Sequence, residues 1–279
     1  MIYIFTALHC EAHIFIKQYK LIKNQEHTWF QEFCNDTAGI RLVIAGVGEI
    51  AAAAAVSSIC LLYRPAKDDL LLNVGICAHA AKNDGIFLCS KIIESATGKT
   101  FYPDMLYRHN FCEGTIVTGM LPWNDENAAP SQELYDMEAA AVYQSGIHFF
   151  GPHQMLFLKI VSDNGTAKEV SRERVAHLME QYQNRIFDYI GQLAAITQTT
   201  NFHKNELHQE QEKLVETFCA DLHCSKAMRD SMQQSIRYLT LAGIDYVSVI
   251  RDMYEKKLLP CKDKREGKVR FEEFKRRLF

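Results

Sequence analysis

The spacing of apolar and polar positions changes character along this chain of 279 residues. Residues 2–7 are β-rich and weakly alternating, which predicts a buried first strand ending in a loop at His9, Cys10 and Glu11. Residues 28–34 and 40–45, separated by a turn at Asn35 and Asp36, predict a hairpin. In GVGEIAAAAAVSSICLLY, Gly46 and Gly48 permit a tight turn, and the alanine run that follows predicts a closely packed helix. Residues 70–74 are continuously apolar and end at Gly75, the pattern of a central strand buried on both faces. Further strands are predicted at 85–90, 91–95, 115–118 and 155–161, with helices at 138–145 and 168–196. Strands alternating with helices predict an α/β fold with a central mixed β-sheet.

Residues 197–204 are polar and predict a linker. Beyond them the pattern is helical throughout: 206–223, 225–242, 244–257 and 270–278. The expected organisation is therefore an α/β domain over 1–198 and an all-helical C-terminal extension over 205–279.

Composition narrows the class. The chain is 48% hydrophobic and 23% charged, with a net charge of −3. That is an ordinary globular balance, with no general affinity for nucleic acid and no apolar run long enough to span a membrane. Nine cysteines without a CxxC pair predict reduced thiols in the cytoplasm, and eleven histidines without ligand spacing predict no metal. No cofactor is expected. The basic residues concentrate in the tail, where residues 256–279 hold ten Lys and Arg against four acids. A solvated helical face is the expected reading of that tail, with a cap over the first domain, dimerisation, a protein contact or, as a minor alternative, an RNA or DNA contact beside it.

Four segments, in order, resemble the nucleoside phosphorylase/nucleosidase superfamily: TALHCEAHIF, IAGVGEIAAAAA, YDMEAAAVY and KIVSDNGT. They are most similar to its methylthioadenosine/S-adenosylhomocysteine nucleosidase branch. A softer match is NDGIFLCSKIIESATGKTFYPD. The resemblance covers roughly residues 1–195 and implies a three-layer phosphorylase-like domain, often a homo-oligomer, that acts on a small-molecule nucleoside.

The implied reaction has definite chemical needs. Breaking an N-ribosidic bond leaves a sugar of oxocarbenium character and an electron-rich base. The base must be protonated, and a nucleophile must reach the anomeric carbon from the opposite face. The resemblance assigns Asp163 as the acid toward purine N7, oriented by Ser162. It assigns Glu138 to the ribose hydroxyls, with Met137 against the sugar, and Glu11 to the attacking water. Taken singly, these residues have plainer readings: Asp163 as a helix N-cap, Glu138 as an acid favouring a helix dipole, Glu11 as a surface residue. The ordered set carries the functional reading.

Phosphorolysis would need cations for the phosphate. No arginine precedes Arg41, and Arg64 and Arg108 stand in no phosphate motif, so water is the expected nucleophile; a phosphate-dependent phosphorylase, or a non-catalytic nucleoside-binding scaffold acting through its C-terminal helices, is the alternative. Two departures from the family bear on the substrate. Its small-residue turn is replaced by Gly75, Ile76, Cys77, Ala78 and His79, where Cys77 reads as a packed thiol at the binding site. The segment between Gly119 and Asp136 is short, and Trp123 within it is either a base-stacking surface or a hydrophobic plug. Cys219 and Cys224 are expected on different sides of a helix.

Overall fold

The computed structural model describes residues 1–25, 29–82, 84–123, 133–165, 170–241 and 244–278. The chain divides into two compact units, Met1–Thr200 and Asn201–Phe279.

In the first unit, β1 (Ile2–Thr6) lies between β4 (Ile40–Ile44) and β5 (Leu70–His79), parallel to both. β3 (Gln31–Asn35) forms the expected hairpin with β4, and β2 (Ile22–Lys23) extends that edge. On the other side β5 runs parallel to β10 (Met155–Asp163). β10 pairs antiparallel with β6 (Ile86–Glu94), which also carries the short β7 (Thr100–Phe101). β6 runs parallel to β8 (Cys112–Thr118), and β8 to β9 (Leu134–Asp136). β9 returns antiparallel to β5, so this half of the sheet closes into a ring.

Side chains alternate across the sheet, and this sets the layers. In β1, Ile2 and Ile4 point into a core shared with Phe15 of α1 (His9–Gln18) and with Leu178, Ile186 and Ile190 of α4 (Arg172–Asp221). Tyr3 and Phe5 point the other way. Their core includes Ala52, Val56 and Ile59 of α2 (Glu49–Tyr63) and Ala139–Val142 of α3 (Ala139–Gly146). The result is the expected three-layer α/β arrangement around a mixed sheet.

Several local expectations are corrected. His9, Cys10 and Glu11 form the first turn of α1 rather than a loop. This helix was hidden because its N-cap, Leu8, offers no side-chain acceptor of the kind that marks a helix start. Gly75 is no turn: β5 runs through it to His79. The two strands expected over 85–95 are one, with a register shift between Cys89 and Lys91 that breaks its alternation. Residues 197–204 belong to α4, since neither glycine nor proline interrupts the backbone there.

The second unit contains the end of α4, then α5 (Lys226–Leu241), α6 (Tyr246–Glu255) and α7 (Lys264–Leu278). Phe218, Leu222, Met232, Ile250, Met253, Phe271 and Phe274 form its core. A Cβ at Gly267 would stand 1.7 Å from the Leu222 carbonyl oxygen, so only glycine admits α7 this close to the end of α4. The basic tail is internally compensated: Arg277 pairs with Asp252 and Glu273, Arg270 with Glu273, and Lys275 with Glu272. Cys219 and Cys224 do not face apart. The chain reverses at His223 (φ 52°) and donates Cys224 N–H to the Cys219 carbonyl at 3.0 Å, which brings the two thiols into hydrogen-bonding contact. Among the described residues, no helix is long and apolar enough to cross a membrane.

Candidate active site

The sequence-predicted residues converge on one cleft of about 590 Å³ in the first unit. Glu11, Cys77, Trp123, Met137, Glu138, Ser162 and Asp163 all line it. Gly75 lies behind the Glu11 carboxylate, in the wall rather than on the surface.

Glu11 is 2% exposed, so it is not a surface residue. Its Oε2 accepts the N–H groups of Ala7 (2.9 Å) and Leu8 (2.8 Å), and its Oε1 that of Ile76 (3.0 Å). A carboxylate has about four acceptor positions, and these donors leave room for one more. Burial pushes its pKa up; the Ile76 and Leu8 amides and Lys159 oppose that shift. Gly75 makes this placement possible, because a Cβ there would lie 3.0 Å from Glu11 Oε1. Gly75→Ala is therefore expected to cost about 1–2 kcal/mol by overpacking and to displace the carboxylate. Chemical denaturation and turnover measured together check this; a variant equal to wild type in both would refute the wall role.

Glu138 is the N-cap of α3 by position, but its side chain does not cap that helix. Asp136 Oδ2 accepts Ala139 N–H at 2.9 Å and Thr118 Oγ accepts Ala140 N–H at 3.0 Å, so the helix start is already satisfied. Glu138 instead turns toward α2, where its Oε1 accepts Gly48 N–H at 2.8 Å. The plainer helix-dipole reading does not account for that contact.

Beneath it lies a residue that the sequence reading missed. Lys159, in the middle of β10, is 1% exposed, and its Nζ meets Asp136 Oδ2 at 2.7 Å. Burial opposes its charge, but Asp136 and Glu138 outweigh burial and raise its pKa. The available signal was a lysine inside the apolar run MLFLKIV, which is sustainable only with a buried counter-charge. Glu138 in turn is pushed up to about 7, chiefly by burial and then by Asp136.

Asp163 ends β10 and, among the described residues, caps no helix; α4 begins at Arg172. It is half-buried rather than fully enclosed. Its Oδ1 accepts Gly165 N–H at 2.8 Å, and its Oδ2 lies 2.7 Å from Ser162 Oγ. Ser162 Oγ also lies 3.2 Å from the Cys77 carbonyl. Cys77 thus serves through its backbone, while its thiol, 3% exposed, is pushed well up in pKa by burial in the core. Arg174 Nε donates to the Ser162 carbonyl at 3.0 Å and fixes this strand end. Trp123 is both wall and plug. It lines the cleft, and its ring covers Gly165, where a Cβ would approach it to 2.9 Å. Residues 124–132, which complete the short segment singled out in the sequence, lie outside the described residues.

Among the described residues, no arginine or lysine lines the cleft. Arg64 sits at the C-terminal end of α2, and Arg108 lines a different cavity.

No family model matches the chain, and no curated protein matches it. Solved structures do. A methylthioadenosine/S-adenosylhomocysteine nucleosidase from Colwellia psychrerythraea, in complex with adenine, is 18% identical with a TM-score of 0.57, covering 69% of this chain and 95% of that one. Its S. pneumoniae counterpart, bound to a transition-state inhibitor, is 18% identical with a TM-score of 0.55, covering 70% and 99%. The Arabidopsis thaliana methylthioadenosine nucleosidase is 16% identical with a TM-score of 0.55, covering 69% and 95%. The fold of the first unit is that of these nucleosidases.

Proposed function

We propose that this protein hydrolyses the N-ribosidic bond of a purine nucleoside, one modified at its 5′ position. The observation that carries this reading is the meeting of Glu11, Glu138 and Asp163, distant in sequence, around one cleft. The fold likeness to nucleosidases solved with adenine and with a transition-state inhibitor supports the substrate class.

Each group has a role that fits its surroundings. Glu11, fixed by backbone donors and made more basic by burial, accepts a proton from the attacking water. Glu138 has one oxygen engaged by Gly48 and offers the other to the ribose hydroxyls, where its charge also favours the developing cationic sugar. Asp163 donates its proton to the departing base. Ser162 Oγ donates to Asp163 Oδ2 at 2.7 Å and holds the carboxyl in place. Water is favoured over phosphate because a dianion would meet the carboxylates of Glu11, Glu138 and Asp163, and among the described residues no arginine or lysine lines the cleft.

The test is release of free base from methylthioadenosine, S-adenosylhomocysteine, 5′-deoxyadenosine, adenosine and inosine, with and without phosphate. Phosphate-independent release of base and free sugar is expected. A strict phosphate requirement with a sugar 1-phosphate product would overturn hydrolysis.

The Glu138 shift gives a pH prediction. A protonated Glu138 accepts fewer ribose hydroxyl hydrogen bonds, so kcat/KM should fall as pH drops below about 7. Stability runs the other way. The folded state binds this proton more tightly than an unfolded chain, where the carboxyl titrates near 4.5. Glu138 thus favours folding most below that value, and its contribution is lost as pH rises to about 7. Glu138→Gln should therefore stabilise the protein by about 1–3 kcal/mol at pH 8 and hardly at all at pH 4, while kcat/KM collapses. Denaturation at the two pH values checks it, and an equal effect at both would refute the buried-acid assignment.

A further inference from the structure

We propose that a second cavity of the first unit, between the loop preceding β8 and the outer part of α4, binds a small oxyanion of the phosphate type. The cavity measures about 190 Å³ and shares no lining residue with the catalytic cleft. Arg108 and Arg185 both line it, and among the described residues neither guanidinium pairs with a carboxylate.

Arg185 is already oriented. Its Nη2 donates to the Asn110 carbonyl at 2.7 Å, and its guanidinium carbon lies 5.2 Å from the centre of the Phe111 ring. That leaves further N–H donors of a planar fork for an oxyanion. Phe111 is itself fixed, with the His109 ring stacked at 6.0 Å and the Tyr189 ring edge-on at 5.2 Å.

Tyr189 forms the floor of the cavity and is 3% exposed. Asp188 lines the same cavity and offsets one of the two arginine charges. The field is then that of one net cation, matched to a phosphate group that keeps a proton and donates it to Asp188. A fully ionised anion such as sulfate lacks that donor.

The experiment is thermal unfolding of the full chain titrated with inorganic phosphate, sulfate or chloride at constant ionic strength. Ligand binding to the native state raises the midpoint in a saturable way. We expect saturation with phosphate only, and about tenfold or greater weakening in Arg108→Ala/Arg185→Ala, in proportion to two lost charge-assisted contacts. A phosphate response no larger than that of chloride overturns the site. So does a double variant that responds as wild type does, which would place phosphate elsewhere. Sulfate binding as tightly as phosphate would overturn the phosphate-type assignment. None of these outcomes depends on the catalytic reading, since base release is not measured.

Discussion

Asp163→Asn is expected to lower the rate of base release by about 10²- to 10⁴-fold, the range for loss of a positioned general acid. Asparagine retains the shape of the side chain. Its amide oxygen still accepts Gly165 N–H, so the turn beneath Trp123 persists. What it cannot do is pass a proton to a departing base. The loss should therefore fall on kcat, with little change in KM or in the unfolding midpoint. Removing the Ser162 hydroxyl should be milder, because Asp163 remains and loses only its partner toward the Cys77 carbonyl. Steady-state kinetics beside a melting curve measure this directly. Equal turnover by Asp163→Asn and wild type would remove Asp163 from the chemistry.

The second large effect concerns stability. Lys159→Met should destabilise the protein by about 3–5 kcal/mol near pH 8, the cost of removing one partner from a buried ion pair. Methionine fills the space left by the aliphatic stem, so the loss isolates the charge. Asp136 would then be buried without its 2.7 Å partner, and Glu138 would lose its nearest compensating charge. Because protonation relieves Glu138, the deficit should shrink as pH is lowered. Adding Asp136→Asn to the methionine variant should recover part of it, since the orphaned charge is gone. Urea unfolding of the wild type and the variants provides the cycle. A single-variant loss below about 1 kcal/mol would mean that Lys159 contributes packing but no electrostatic support.

Much of the fold was legible in the chain because burial is written locally. The apolar run at β5, the hairpin of β3 and β4, and the alanine helix α2 each follow from residues within one element. The three acids that line the cleft, Glu11, Glu138 and Asp163, stand in motifs whose order marks them in the sequence. Where local marks were missing, the reading failed. α1 lacks a capping side chain, β9 is only three residues long, and residues 197–204 are polar yet stay helical.

What the sequence determined by itself is thus the alternation of strands and helices, the helical character of the C-terminal unit, and the motifs in which Glu11, Glu138 and Asp163 stand. The tertiary structure alone decided that the sheet closes on itself through β5, β10, β6, β8 and β9. It also decided that Gly75 accommodates Glu11 rather than making a turn, that Gly48 engages Glu138 from ninety residues away, and that Lys159 sustains the acids around it. The physical reason is common to these cases. Periodicity records whether a position is buried, but not which distant backbone or charge it will meet. That depends on strand pairing and helix placement, and hydrogen bonds and ion pairs depend on atomic distance.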